Sequence, residues 1–183
     1  MFNKNKLNHI ALIFVLVFIC CSCAHKSGHN RRERDRLSVI SVSDEKGYTS
    51  ERKIKGHTKV EMRKENGVLL VPITVNGLNL DFIFDTGASS ICISSLEAMV
   101  MLRQGQITEN DIVGQQQFQD ATGKVSVGTT IILRSVQIGG IELTNVEATV
   151  VDNIQAPLLL GQTALAKFGK VTIDYNSNTI EFN

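Results

Sequence analysis

The sequence predicts a mainly β fold, a small barrel of short strands with one or two short helices, and three observations predict it. Short apolar runs recur through residues 65–183 with turn residues between them. Asn76-Gly77 separates two of these runs, the strongest local hairpin signal because both residues tolerate positive φ. Only two stretches carry both the start and stop residues of a helix.

Taken in order, the first hairpin joins GVLLVPITV to LNLDFIF across Asn76-Gly77. Ser94-x-x-Glu97 then forms a capping box ahead of LEAMVMLR, with Gly105 soon after its end. Further strands are expected at Gln115–Asp120, Lys124–Leu133, Ser135–Ile138, Ile141–Val151, Pro157–Leu160, Val171–Tyr175 and Thr179–Phe182. Thr122-Gly123, Gly139-Gly140 and Asn176-Ser177-Asn178 supply turns between several of them. The second helix is expected over Gln162–Phe168, stopped by Gly169.

The charge divides the chain. The 183 residues hold 19 Lys+Arg against 18 Asp+Glu, a net +1 that suggests no nucleic-acid partner. Residues 1–64 carry 14 basic and 6 acidic side chains, whereas residues 65–183 carry 5 and 12. Opposite signs of this size assign the two parts different tasks.

The first part opens with Lys4 and Lys6 and an unbroken apolar run from Ile10 to Cys21, followed by Ser22, Cys23 and Ala24. As a helix that run spans roughly 18 Å, well short of a bilayer core of about 30 Å. A basic start, a short apolar stretch and small residues after it read as an export signal over residues 1–22; a buried helix or an uncleaved anchor is the alternative. Residues 23–64 are polar and basic without a sustained period, and read as a tether. The tether is either a solvated spacer or a segment lying against anionic head groups. His25, His29 and Cys20, Cys21 and Cys23 are zinc-type ligands, but their spacing fits no standard finger and no second pair follows, so no metal is expected.

The chemistry is expected where the strand LDFIF runs into Asp85-Thr86-Gly87-Ala88-Ser89. An apolar strand ending in a carboxylate and followed by Gly places that carboxylate at the mouth of a buried sheet, on a turn that lets another backbone approach. An ordinary Asp–Gly loop would carry the same letters, so the rest of the chain decides. Gly123-Lys124 lacks the following Ser/Thr and the upstream Gly spacing of a phosphate loop. Cys92 has no His anywhere after His57 to act as its base, which also argues against serine-triad and metalloprotease chemistry.

FIFDTGASSICIS, from Phe82 to Ser94, resembles the signature of the retropepsin-like aspartic proteases, the single-lobed relatives of pepsin. Their second landmark, an apolar pair before Gly, a short helix and a closing strand pair, is matched by Leu159-Leu160-Gly161, QTALAKF and KVTIDYNSNTIEF. Between them the family has a flap hairpin with Gly at its tip, and Phe118–Lys124 stands in the corresponding place. The bacterial members are most alike, over roughly Asn66 to Phe182. The resemblance implies an acid-protease barrel with a flap over residues 65–183 and an aspartic endopeptidase that needs no cofactor. It implies catalytic roles for Asp85, Thr86 and Gly87, and contact with an extended peptide substrate at Ala88, Ser89, Thr122 and Gly123.

Hydrolysis by this route uses two adjacent carboxylates sharing one proton, and the chain has one D-T-G motif. A two-fold homodimer would supply the second Asp85. The residues after the apolar run also resemble the lipobox of bacterial lipoproteins, which implies an exported protein held at the cell envelope by a membrane lipid anchor. Ser22 before Cys23 makes Cys23 the preferred lipid acceptor, while Cys20 stands where the family usually has Leu and leaves Cys20 and Cys21 open. A non-catalytic peptide-binding lipoprotein with the same fold is the rival expectation.

Overall fold

The computed structural model of the chain describes residues 38–43, 47, 49–55, 58–119 and 122–183. The export signal, the cysteines and histidines near Cys23, and Asp120 and Ala121 of the expected hairpin tip lie outside the described residues. The strands are β1 (Ser38–Ser43), β2 (Thr49–Ile54), β3 (Lys59–Glu61), β4 (Arg63–Glu65), β5 (Val68–Val75), β6 (Leu78–Phe84), β7 (Ile91–Ser94), β8 (Ile112–Gln119), β9 (Val125–Ile138), β10 (Ile141–Val151), β11 (Leu159–Leu160), β12 (Val171–Asp174) and β13 (Thr179–Phe182). Helix α1 covers Ser95–Arg103 and α2 covers Gln162–Phe168. The mainly β fold is as expected.

Asn76 and Gly77 turn β5 into β6 with φ values of 47° and 87°, the mirror-image turn that the Asn-Gly pair favours. Val71, Ile73 and Val75 alternate inward along β5 and meet Phe82 of β6 in the core. Ser94 caps α1 through its Oγ, which accepts from the N–H groups of Leu96 and Glu97, and the hydroxyl in turn bonds the Glu97 carboxylate. The expected capping box is met in its first half, Ser94 Oγ accepting from Glu97 N–H, while the Glu97 carboxylate returns to the Ser94 hydroxyl and not to its backbone N–H; Met101 anchors the helix in the core.

The main sheet runs β1-β2-β10-β7-β11-β6-β5-β9-β8, and an additional β9–β10 pairing folds it towards closure. A second sheet has the order β12-β13-β3, with Phe168 and Phe182 rings 5.2 Å apart beneath it. Two expected strands, Lys124–Leu133 and Ser135–Ile138, are one continuous strand, β9, because β10 pairs along it from Gly128 to Ile138. The register is constant along this pairing, with only Asn145, whose φ is 54°, and Arg134 left unpaired in it. The strand expected at Pro157–Leu160 shortens to β11, and that at Gln115–Asp120 starts earlier, at Ile112.

The stretch expected to be a mobile tether, 23–64, is corrected from Ser38 onward: β1 to β4 lie there, and β2 pairs with β10 from Ile141 to Leu143. Folded structure thus precedes residue 65. Periodicity misses β2 because its inward face is polar. Ser50 and Arg52 are buried on it, Ser50 donating to the Asn145 carbonyl (2.9 Å) and accepting from Lys167 Nζ (2.8 Å). Arg63 of β4 also reaches Asp81 of β6 at 2.7 Å, and the adjoining carboxylates of Asp81 and Glu65 raise its pKa.

Candidate active site

The Asp85 loop is positioned by the crossing of three strands. Strand β11 lies between β6 and β7, parallel to β6 and antiparallel to β7, so the loop 85–90 that joins β6 to β7 must pass over the end of β11. Backbone hydrogen bonds fix the crossing: Ile83 N–H donates to Leu158 O (2.8 Å) and Asp85 N–H to Leu160 O (3.2 Å). The chain leaving β11 goes under the loop at Gly161. A Cβ there would sit 2.3 Å from Ser90 O and 2.7 Å from Ala88 O. Gly161 has φ −93°, which any residue adopts, so the demand is for space.

Helix α2 then starts without a side-chain cap of its own. Its first N–H groups, normally left without partners, donate instead to the loop: Gln162 N–H to Ala88 O and Thr163 N–H to Ser89 O, both at 2.9 Å. The Gln162 side chain adds a third bond, Nε2 to Thr86 O at 2.5 Å.

Within the loop the half-buried Asp85 carboxylate accepts from Gly87 N–H through Oδ1 at 2.8 Å. Oδ2 has no hydrogen-bond partner among the described residues. One oxygen is thus fixed and the other is available to a water, a substrate or a second carboxylate. Ala88 N–H donates back to Asp85 O at 3.3 Å and closes the turn. Thr86, Gly87 and Ser89 are exposed and Ala88 half-buried.

The expected flap is the β8–β9 hairpin, with Gln119 opposite Val125 and Gly123 in the left-handed region at φ 87°. Gln119 Nε2 donates to Gly123 O at 3.0 Å, and Thr122 is exposed beside it. The structure thus brings Asp85 to Ser89 together in one loop and places Thr122 and Gly123 in a separate hairpin. The hairpin's root connects to the loop through Thr149 of β10, which is buried. Thr149 Oγ1 accepts from Gln116 Nε2 of β8 and lies 3.1 Å from Ser90 Oγ. A cleft of about 360 Å³ opens at the same root, lined by Gln115, Val127, Thr129, Val150, Asp152 and Ser95. Val125 and Val127, exposed by 58% and 51%, offer apolar surface along β9 for an extended ligand. A larger hollow of about 480 Å³, beside Pro72, Leu80 and Gln137, includes no residue of the Asp85 loop, and we assign it no part in the chemistry.

Sequence reasoning gave no role to Gly161 beyond its place in a motif and did not single out Gln162, Ser90 or Thr149. The space required at Gly161 arises from a crossing of segments some seventy residues apart, which no local pattern encodes.

Cys92, on β7 opposite Leu159, is a free thiol. Burial pushes its pKa up, the Ser90 carbonyl contact opposes this, and the Asp85 charge adds to the rise. The thiolate fraction at a given pH is therefore lower than for a free cysteine, whose pKa is about 8.5. Alkylation of the Cys92 peptide, followed by mass spectrometry against pH, is expected to have a midpoint above that of a free thiol. In Asp85→Asn the midpoint should move to lower pH, and an unchanged midpoint would show that the Asp85 field does not reach the thiol.

The sequence profile of the family described as "gag-polyprotein putative aspartyl protease" matches residues 71–167, just over half of the chain. Among solved structures, the crystal structure of a retropepsin-like aspartic protease from Rickettsia conorii is similar, with a TM-score of 0.54 and 22% sequence identity over 81% of this chain and 95% of that one. At this identity the likeness concerns the fold, an all-β protease architecture with short helices. No curated protein sequence matches the chain.

Proposed function

Since this chain belongs to the gag-polyprotein aspartyl protease family, we propose that it is an aspartic endopeptidase whose site is completed by a second copy of itself. The observation that carries the reading is the Asp85 carboxylate on the loop over β11, with Oδ1 held by Gly87 N–H and Oδ2 without a hydrogen-bond partner among the described residues. The chain has one D-T-G motif, so the second carboxylate comes from the Asp85 of a symmetry-related copy.

In such a pair one carboxylate takes a proton from the attacking water while the other, protonated, donates to the scissile carbonyl oxygen. The pair works while it holds one proton between its two carboxylates. Thr86 and Gly87 shape the turn that holds the carboxylate. Ala88 and Ser89 on one side and Thr122 and Gly123 on the other meet the extended backbone of a peptide, which binds by strand-like hydrogen bonds. No cofactor or metal enters this chemistry.

The proposal extends to the N-terminus: residues 1–22 as an export signal and Cys23 as the lipid attachment point would hold the enzyme at a bacterial membrane. Confinement to a surface raises the effective concentration of copies and favours pairing. The test is cleavage of an unfolded protein under mildly acidic conditions by the purified protein, with Asp85→Asn beside it. Cleavage by the first alone is the expected result. Equal cleavage by both removes Asp85 from the mechanism, and cleavage by neither leaves a peptide-binding module.

A further inference from the structure

We propose that Gln162 is a positioning residue for the Asp85 carboxylate, acting through the peptide group shared by Thr86 and Gly87. The inference rests on the peptidase reading above and adds to it a residue outside the D-T-G motif. Thr86 O and Gly87 N–H belong to one peptide unit, which is planar and rigid. Its carbonyl accepts from Gln162 Nε2 at 2.5 Å, and its N–H donates to Asp85 Oδ1 at 2.8 Å. The oxygen and the hydrogen of a trans peptide point in opposite directions, so a bond that fixes one end aims the other.

Gln162 is suited to this by position and by chemistry. Its backbone N–H is tied to Ala88 O and that of Thr163 to Ser89 O, so the side chain departs from a fixed base in the first turn of α2. Thr86 O can only accept, so the amide NH2 must face it. Without Gln162 the exposed Thr86–Gly87 peptide keeps, among the described residues, a single hydrogen bond, that to Asp85. Bonds in series also polarise one another, so the Gln162 donor strengthens the N–H that holds the carboxylate. Asp85 and Cys92 are the titratable groups of this loop and of the strand that follows it, and among the described residues neither is hydrogen-bonded to Gln162.

The experiment compares full-length wild type, Gln162→Ala and Gln162→Glu for kcat and KM on an unfolded protein substrate across acidic to neutral pH, with circular dichroism to confirm the fold. Gln162→Ala is expected to lower kcat about 10- to 100-fold with KM little changed, by a factor independent of pH. Gln162→Glu discriminates. Below the usual glutamic acid pKa of about 4.3, the protonated side chain donates to Thr86 O and activity approaches wild type at the same pH. Above it, two acceptors face each other and the ratio to wild type falls to that of Gln162→Ala or lower. Comparison at equal pH cancels any pH dependence that the variants share with wild type. A pH-independent Gln162→Glu ratio, or a Gln162→Ala enzyme with wild-type kcat, overturns the proposal. Amide hydrogen exchange at Gly87 separates this from the peptidase reading. Faster exchange in Gln162→Ala supports the positioning role even if no form of the protein cleaves a peptide, and equal exchange overturns it even if all forms do.

Discussion

Asp85→Asn is expected to abolish peptide cleavage while leaving the fold intact. The asparagine side chain has the same shape, and its Oδ1 can still accept from Gly87 N–H, so the loop keeps its turn. What is lost is a group that can take or give a proton. General acid–base assistance contributes about 10²- to 10⁴-fold, and the amide supplies none. Circular dichroism and thermal unfolding should match wild type. A protein that loses cleavage together with its fold would instead make Asp85 a structural residue, and undiminished cleavage would place the chemistry elsewhere.

Gly161→Ala is expected to have the largest effect on stability. The added Cβ would fall 2.3 Å from Ser90 O and 2.7 Å from Ala88 O, and the neighbours are backbone atoms that cannot rotate away. Either the loop lifts off β11 or β11 leaves its place between β6 and β7. Both movements break some of the bonds that join Asp85, Ala88 and Ser89 to residues 160–163. Forced overpacking of this kind costs about 2–3 kcal/mol, which corresponds to a fall in Tm of about 5–10 °C for a chain of this size. Because the strained atoms belong to the Asp85 loop, kcat should fall as well. Thermal unfolding measured beside activity checks both, and a variant with wild-type Tm would mean that the crossing is looser than the close approach of these backbones indicates.

Where interactions are local, the sequence was readable. The Asn76-Gly77 turn, the Ser94 cap of α1, the bounds of α2 and the Asp85 turn each depend on a few adjacent residues whose conformational preferences act directly. Strand β2 was hidden for the opposite reason. Its inward residues Ser50 and Arg52 are polar, and Ser50 is satisfied by partners about a hundred residues away, Asn145 and Lys167. A reading based on apolar alternation assigns such a segment to solvent.

The candidate site divides along the same line. Asp85, Thr86 and Gly87 are announced by a strand running into a motif, whereas Gln162 and Thr149 become visible only when β11 and β10 are laid beside β7. Gln162 looks like any polar first-turn residue until its amide is seen on Thr86 O. Thr149 looks like one residue of an alternating strand until it joins Gln116 to Ser90. The motif says which residue reacts; the residues that hold it in place come from distant strands.

The central claim is that one active site needs the Asp85 of two copies, and mixing tests it most directly. Wild type at a fixed concentration is incubated with increasing Asp85→Asn, long enough for subunits to exchange, and cleavage is then measured. Random pairing with an equal amount of Asp85→Asn leaves about half of the wild-type subunits in wild-type pairs, so activity should fall to about half and continue towards zero as the excess grows. Activity that stays constant at every ratio would mean that each chain works alone, and would contradict the account.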